Sequence, residues 1–169
     1  EEFYDHKDKI HLLYQTCGSI YQKKSPETPS KSHFLYVGSI IKRKGLLDIV
    51  KAYHRLPKEM QLPFIVVGDG LEYKDIVKQK IAELNLMHQF IFKGNIDNDE
   101  LVALYDSCMS LVLPSMYEGF GIPLIEALFR KRPVITSNVS SLPEACGPGG
   151  IMVEVGNIAS LTEAFQRLF

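Results

Sequence analysis

The sequence lacks tryptophan and has only three cysteines in 169 residues, Cys17, Cys108 and Cys146. An odd count without a C-x-x-C pair argues against a disulfide framework and against a structural zinc site. The five histidines show no metal-ligand spacing such as H-E-x-x-H. We therefore expect no metal site, and cytoplasmic residence is the simplest interpretation of the cysteines.

An excess of charge of one sign is also missing. Nineteen basic residues face twenty acidic ones, for a net charge of −1. Nucleic-acid-binding domains usually carry a strong basic excess, so this balance argues against a nucleic-acid partner. No apolar run approaches the roughly 18 residues of a membrane helix. The N-terminus shows no basic-then-apolar signal pattern.

Six short apolar segments alternate with helical patterns from residue 33 onward. The strand candidates are 33–38, 62–68, 90–94, 109–115, 132–137 and 150–155, and the helix candidates are 44–56, 72–86, 98–108, 120–131 and 159–169. Asn98 or Asp99 is expected to cap the helix over 98–108. Strands that are apolar on both faces and alternate with helices predict a three-layer, doubly wound, Rossmann-like α/β domain with a parallel sheet of about six strands.

The first thirty residues are the least regular. A helix over 2–9 and a strand over 10–14 are possible, and a polar stretch with Pro26 and Pro29 then favours a linker. We predict a connecting segment over 1–30 and the Rossmann-like domain over 31–169. The chain begins without methionine and ends within an amphipathic pattern, so we expect a piece of a larger protein, truncated in its last helix.

Ligands of parallel sheets bind at the carboxyl ends of the strands, so the turns there matter most. The first turn, GSIIKRKG over 38–45, offers Arg43 and Lys44 to phosphate oxygens. A solvated basic turn is an equally good interpretation. The spacing matches neither a P-loop nor G-x-G-x-x-G. In the second turn Gly68 and Gly70 allow close backbone approach to a ligand, although many tight turns look the same.

The turn after the fourth strand, PSMYEGFGIPLIEA over 114–127, is the most informative. Gly119 and Gly121 flank Phe120 directly before a helix, which presents free amides and a positive helix end to an anion. Glu118 and Glu126 stand eight positions apart. Carboxylates are unfavourable beside a phosphate, so ribose and hexose hydroxyls are their expected partners; solvated charges are the alternative. The hydroxyl-rich fifth turn, 136–145, could bind phosphate or cap a helix.

Together the segments YVGSIIKRKG, VVGDG, FKGNIDNDELVALYDSC, LVLPSMYEGFGIPLIEAL and RPVITSNVSSLPEACG resemble the donor-binding half of a GT-B fold, family-4 retaining glycosyltransferase (glycosyl transferases group 1). The resemblance runs from residue 33 to the end, and the E-x7-E pair is its most specific part. It implies that this chain is the C-terminal domain and binds a UDP- or GDP-linked sugar. The acceptor would bind a missing N-terminal domain, so this fragment is predicted to be inactive alone.

The resemblance also implies roles for individual residues. Lys44 and Arg43 would hold the diphosphate and Glu118 would face the transferred sugar. Many members carry an arginine where Ser39 stands, so Arg43 is expected to supply the second cation. Glu126 would form hydrogen bonds with the ribose hydroxyls, and the segment from Phe92 to Asn95 would surround the base. The implied donor-binding residues are Gly38, Ser39, Gly68, Gly70, Gly94, Asn95, Ile96, Gly119, Phe120, Gly121, Ile122 and Glu126.

No D-x-D motif is present, so the cations would replace a metal, and we expect no cofactor besides the nucleotide-sugar substrate. The family resemblance makes polysaccharide synthesis a common role, in a full-length protein at the inner membrane face. Three alternatives stay open: a nucleotide-sugar 2-epimerase of the same scaffold, a catalytically silent nucleotide-binding module, and a Rossmann dehydrogenase. The E-x7-E pair argues against the first, the joint presence of Lys44, Glu118 and Glu126 against the second, and the absent third glycine against the last.

Overall fold

The computed structural model describes residues 16–23 and 31–169. Six strands form one sheet, and every neighbouring pair is parallel, in the order β3-β2-β1-β4-β5-β6. The strands are β1 His33–Val37, β2 Phe64–Val67, β3 Phe90–Gly94, β4 Cys108–Leu113, β5 Val134–Ser137 and β6 Gly150–Val153. The predicted Rossmann-like α/β class with a six-stranded parallel sheet is confirmed.

Among the described residues five α-helices connect the strands, and a sixth follows β6. They are α1 Leu46–His54, α2 Glu72–Glu83, α3 Asn98–Ser107, α4 Ile122–Phe129, α5 Leu142–Cys146 and α6 Ile158–Gln166, and short 3-10 helices cover Ser19–Gln22, Lys42–Lys44, Lys58–Met60 and Gly147–Gly149. Helix α1 packs against α2 and α6, and α4 packs against α5. No helix in the described ranges is both long and apolar enough to span a bilayer.

An aromatic cluster anchors α1 and α6 to the strands β1 to β3. The rings of Phe64 and Phe90 stack with centroids 5.0 Å apart, and Phe34 meets Phe165 edge-on at 4.9 Å. Tyr53 of α1 meets Phe90 at 5.1 Å and donates its hydroxyl to the Leu62 carbonyl. Such ring pairs stabilise beyond the area that they bury. This half of the sheet is therefore a rigid base for the turns above it.

Two predicted helix ends were wrong because local capping decides them. Asp97 is the N-cap of α3, since its Oδ1 accepts the Glu100 amide at 2.8 Å, and Asn98 is already helical. Helix α2 ends at Glu83 rather than at residue 86, since Asn85 adopts a left-handed φ of 56°.

The last helix also differs from the prediction. Asn157 caps α6, its side chain accepting the Ser160 amide at 3.0 Å, and the helix ends at Gln166 instead of continuing to residue 169. The amides of Leu168 and Phe169 donate to carbonyls three residues earlier in the chain, which is the pattern of a 3-10 turn and not of an α-helix. That this helix is truncated stays a prediction.

Residues 16–23 pack onto the domain. Their 3-10 helix contacts α3 and α4, Cys17 and Tyr21 are buried, and Arg130 donates to the Lys23 carbonyl at 2.6 Å. The predicted helix over 2–9 and strand over 10–14 lie outside the described residues. The boundary at residue 31 stays a prediction, although residues 16–23 share the core.

The buried ring of His33, at the start of β1, makes stability depend on pH. The side chain is almost inaccessible, and desolvation lowers the pKa of His33 from 6.5 to about 4. Between these values the unfolded chain binds a proton that the folded chain does not. Stability from this group is therefore complete above pH 6.5 and is lost as the pH falls toward 4.

Because of the lowered pKa of His33, we expect the free energy of unfolding to fall by about 3 kcal/mol as the pH is lowered from 7 to 4. Urea unfolding followed by circular dichroism at several pH values would measure it. His33→Gln should flatten the profile, whereas the matched change at the exposed His54, His54→Gln, should leave it as in the wild type. An unaltered profile in His33→Gln would contradict the assignment.

Candidate active site

The order of the strands reverses between β1 and β4. The chain proceeds from β1 outward through β2 and β3, and from β4 outward in the other direction through β5 and β6. In such sheets the connections diverge at this point and leave a crevice at the carboxyl ends of the two strands. The turns after β1 and β4 meet there, and the amide of Met116 donates to the Arg43 carbonyl at 2.7 Å.

A nearly buried ion pair joins these two turns. The Nζ atom of Lys44 lies 2.7 Å from Oε1 of Glu118, with side chains 11% and 9% exposed. Ser115 donates its hydroxyl to the same oxygen at 2.8 Å. Arg43, half exposed, places Nη1 3.7 Å from Oε2 of Glu118 and 2.8 Å from the Tyr117 carbonyl oxygen. The site thus holds two cations around one carboxylate, and the solvated-turn interpretation fails for Lys44.

Hydroxyl groups of the turn after β5 fix the backbone of Glu118. The Glu118 amide donates to Oγ of Ser140 at 3.1 Å, and Ser141 donates to the Glu118 carbonyl at 3.2 Å. Sequence reasoning offered phosphate binding or helix capping for this turn. The bonds to Glu118 were not foreseen, since no local pattern indicates which loop a serine hydroxyl will reach.

One cavity beside this crevice, which we call the helix-end cavity, has a volume of about 510 Å³. Its lining is Lys44, Glu118, Gly119, Phe120, Gly121, Ile122 and Pro123. Helix α4 begins here, and Gly121 precedes it with a left-handed φ of 86° and no side-chain cap. At the start of α4 Pro123 has no N–H and the Leu124 amide donates to the Gly121 carbonyl at 2.9 Å. The amides that can meet an anion beside the Lys44 ammonium are therefore those of Ile122 and of the loop before it.

The second cavity, the strand-end cavity, has a volume of about 280 Å³ and lies beyond the ends of β1, β2 and β3. The predicted residues in its lining are Gly38, Ser39, Gly68, Gly94, Asn95 and Ile96, and Val37, Val67, Asp69 and Leu101 complete it. Gly68 has a φ of 129°, and a Cβ atom there would overlap the Gly38 carbonyl. Glycine is therefore required for the two turns to approach each other.

Glu126 lines neither of the two cavities, but it belongs to the helix that begins in the helix-end cavity. It stands one turn after Ile122 on α4, and its Oε2 accepts the hydroxyl of Tyr105 at 2.8 Å. Tyr105 in turn stands one helical turn after Leu101 of the strand-end cavity. Burial raises the pKa of the Glu126 carboxyl, and the bond from Tyr105 lowers it in part.

Two predicted residues lie away from the cavities. Gly70 lines a separate depression, and its lack of a Cβ lets its turn approach the Ile40 carbonyl. Phe92 faces a groove between α2 and β3, where Lys78 places Nζ 5.6 Å from the ring centroid. The cavity residues that were not assigned are Val37, Val67, Asp69, Leu101 and Pro123, whose residue types are ordinary for strands, turns and helix starts.

Within the ranges 16–23 and 31–169, no cluster of three histidine, cysteine, aspartate or glutamate side chains could hold a metal ion. Metal independence itself stays a prediction. What the described site offers a ligand is positive charge, helix-end amides and two carboxylates.

The fold and the two cavities define a Rossmann-like domain whose strand reversal carries a crevice with basic side chains and the start of a helix. The family model described as glycosyl transferases group 1 matches residues 19–169. The chain therefore belongs to that family, which confirms the resemblance found in the motifs.

Individual proteins agree with this assignment. The chain is 29% identical over 167 residues to "O-antigen chain mannosyltransferase B" of Escherichia coli, covering 92% of this chain and 44% of that protein. A glycosyltransferase structure from Rickettsia africae superimposes with a TM-score of 0.83 at 25% identity, over 96% of this chain and 48% of the other. The chain spans less than half the length of these two proteins.

A third match covers a smaller share of this chain. The C-terminal domain of a glycosyl transferase group 1 family protein (LpcC) from Francisella tularensis gives a TM-score of 0.73 at 28% identity, covering 83% of this chain and 76% of that one. The crystallised domain of that protein has the same fold as this chain.

Removing one member of the Lys44–Glu118 pair should destabilise the fold. We expect Lys44→Met to lower the free energy of unfolding by about 3 kcal/mol, because it leaves a nearly buried carboxylate without its nearest cation. The double variant Lys44→Met, Glu118→Gln should regain much of that loss. Thermal and urea unfolding would measure both.

Lys51→Met provides the control, since Lys51 pairs with Asp48 on the exposed face of α1 and should contribute less than about 0.5 kcal/mol. Equal losses in the single and the double variant would show that the charge of Glu118 is not what makes Lys44 necessary.

Proposed function

We propose that this chain is the donor-binding domain of a retaining glycosyltransferase that transfers a sugar from a UDP- or GDP-linked donor to a hydroxyl group. The observation that supports this is the meeting of Lys44, Glu118 and the first turn of α4 in one cavity. Cations and amides bind the oxygens of a diphosphate, and a carboxylate accepts hydrogen bonds from the hydroxyls of a sugar. The helix-end cavity contains all three.

The diphosphate is assigned to Lys44, Arg43 and the amides of residues 119–122. Lysine supplies a point charge and arginine a planar fork for phosphate oxygens. Breaking the bond between the anomeric carbon and the phosphate oxygen leaves negative charge on the diphosphate. Cations and helix-end amides that already surround this position stabilise that charge without reorganisation.

The nucleoside is assigned to the strand-end cavity. Its walls combine apolar side chains with backbone groups of residues 94–96, as a flat base requires. Glu126 belongs to the helix that contributes Ile122 to the helix-end cavity, and it bonds Tyr105 of the helix that contributes Leu101 to the strand-end cavity. We therefore assign it to the ribose, which joins the base to the diphosphate. Its carboxylate would accept the ribose hydroxyls.

Glu118 is assigned to the sugar. The Lys44 ammonium neutralises it in this structure, at 2.7 Å. A diphosphate that binds Lys44 competes with Glu118 for the ammonium and frees the carboxylate for sugar hydroxyls. Binding of the phosphates would thereby prepare the group that meets the sugar. Transfer with retention and without a metal are parts of the same proposal.

The likeness to a mannosyltransferase of O-antigen synthesis makes a hexose, and mannose first, the sugar that we propose. The acceptor would bind a second domain outside this chain, so the chain alone should bind donor without transferring sugar. The full protein would work in the cytoplasm or at the inner membrane face, in polysaccharide synthesis.

Thermal unfolding of the purified domain with UDP, GDP, ADP and their sugar conjugates tests donor binding. A ligand at one hundred times its dissociation constant should add about 2.7 kcal/mol to the free energy of unfolding. One nucleotide should stabilise the wild type, and neither Lys44→Ala nor Glu126→Ala should respond to it comparably. No response of the wild type to any nucleotide would contradict the proposed donor site.

The variant Glu118→Gln tests whether Glu118 and the diphosphate compete for the Lys44 ammonium. The amide does not compete for the ammonium, so the free nucleoside diphosphate should bind several-fold more tightly than to the wild type, as measured by calorimetry. The sugar conjugate should lose affinity relative to the free diphosphate, because its hydroxyls lose a charged acceptor. A diphosphate that binds Glu118→Gln more weakly would refute the competition.

A further inference from the structure

Within residues 16–23 and 31–169, the carboxylate of Glu126 has one hydrogen-bond partner, a hydroxyl on a neighbouring helix. Its Oε2 accepts from Tyr105 at 2.8 Å, across the contact between α4 and α3. A glutamate has three rotatable side-chain bonds, so without a partner its carboxylate samples several positions. A ligand that binds the carboxylate in one of these positions loses part of its binding free energy to the ordering of the side chain.

The hydroxyl of Tyr105 is itself held in place. The side chain is fully buried, and the ring of Tyr21 meets it edge-on with centroids 5.8 Å apart. The segment with Tyr21 is fastened by Arg130, whose guanidinium bonds the Lys23 carbonyl at 2.6 Å and both carboxylate oxygens of Asp106 at 2.7 and 2.6 Å.

The hydroxyl also keeps its proton. Burial first, and then the neighbouring Glu126 carboxylate, raise the pKa of Tyr105 well above its ordinary value. Tyr105 therefore donates to Glu126 at all pH values at which the protein is folded and the carboxylate is ionised. A carboxylate has about four acceptor positions, so one bond from Tyr105 leaves others for a ligand.

We infer that Tyr105 is a positioning residue that holds Glu126 toward the ribose hydroxyls and thereby sets the preference of the site for a ribonucleotide over a nucleotide without these hydroxyls. The inference rests on the proposed function, since it takes Glu126 as the ribose acceptor. It adds a residue that touches no ligand and acts through the direction of a carboxylate.

The test compares dissociation constants for UDP and GDP with those for the 2′,3′-dideoxy forms, by calorimetry. The ratio of the two constants measures the contribution of the ribose hydroxyls. The variants are Tyr105→Phe, Glu126→Gln and the double variant. Tyr53→Phe is the matched control, because Tyr53 is equally buried and donates its hydroxyl to the Leu62 carbonyl at 2.6 Å, away from Glu126.

Tyr105→Phe should reduce the ratio by about tenfold, with most of the change in the affinity for the ribonucleotide, as expected for a bond to a charged group. Glu126→Gln should reduce it at least as much, and the double variant no further, because the two residues act as one unit. Tyr53→Phe should lower thermal stability and leave the ratio unchanged.

The outcomes separate this inference from the function beneath it. A wild type that binds no nucleotide overturns both. A wild type that binds both forms equally overturns the ribose assignment of Glu126 and with it the inference, while the donor site stands. A wild type that prefers the ribonucleotide, together with a Tyr105→Phe variant of unchanged ratio, overturns the inference alone. If Tyr105→Phe fails to fold, 4-fluorophenylalanine at position 105 keeps the ring size, lacks the donor and gives the same two results.

Discussion

The Lys44–Glu118 ion pair is the interaction on which the geometry of the site depends. It joins the turn after β1 to the turn after β4, which are the two strands between which the sheet reverses its order. Ion pairs this buried contribute little net stability, because desolvation offsets the attraction. This one instead fixes the distance between two loops and keeps a cation and a carboxylate beside the start of α4. The serines of the turn after β5 hold the same loop from the other side.

The rest of the domain makes that crevice rigid. Stacked and edge-on aromatic rings bind α1 and α6 to β1, β2 and β3, and the glycines of the turns let the backbones approach closely enough to close the strand-end cavity. On the other side, residues 16–23 pack against α3 and α4: Tyr21 contacts the ring of Tyr105, and Arg130 donates to the Lys23 carbonyl. The two carboxylates of the E-x7-E pair thus have different environments: Glu118 bonds a cation, and Glu126 bonds a neutral hydroxyl.

Much of the fold could be predicted because strand and helix periods and turn glycines are local properties. All six strands were found, as were five residues of the helix-end cavity, namely Glu118, Gly119, Phe120, Gly121 and Ile122. The Asp97 cap and the end of α6 were missed, because neighbouring candidates for a cap differ only in backbone geometry. The bonds from Lys44 to Glu118, from the Glu118 amide to Ser140 and from Tyr105 to Glu126 could not be derived, since each joins residues far apart in the sequence. Motifs place such residues at the same edge of the sheet, and only the packing decides which side chains meet.

The most direct test of the account is a ¹⁵N–¹H correlation spectrum of the domain, titrated with the nucleotide-sugar that stabilises it most. We expect the amides of residues 119–122 and 94–96 to shift together, with one dissociation constant, because a single donor spans the two cavities. Shifts confined to the groove of Lys78 and Phe92, or to one cavity with the other unchanged at saturation, would contradict a donor site at the strand reversal.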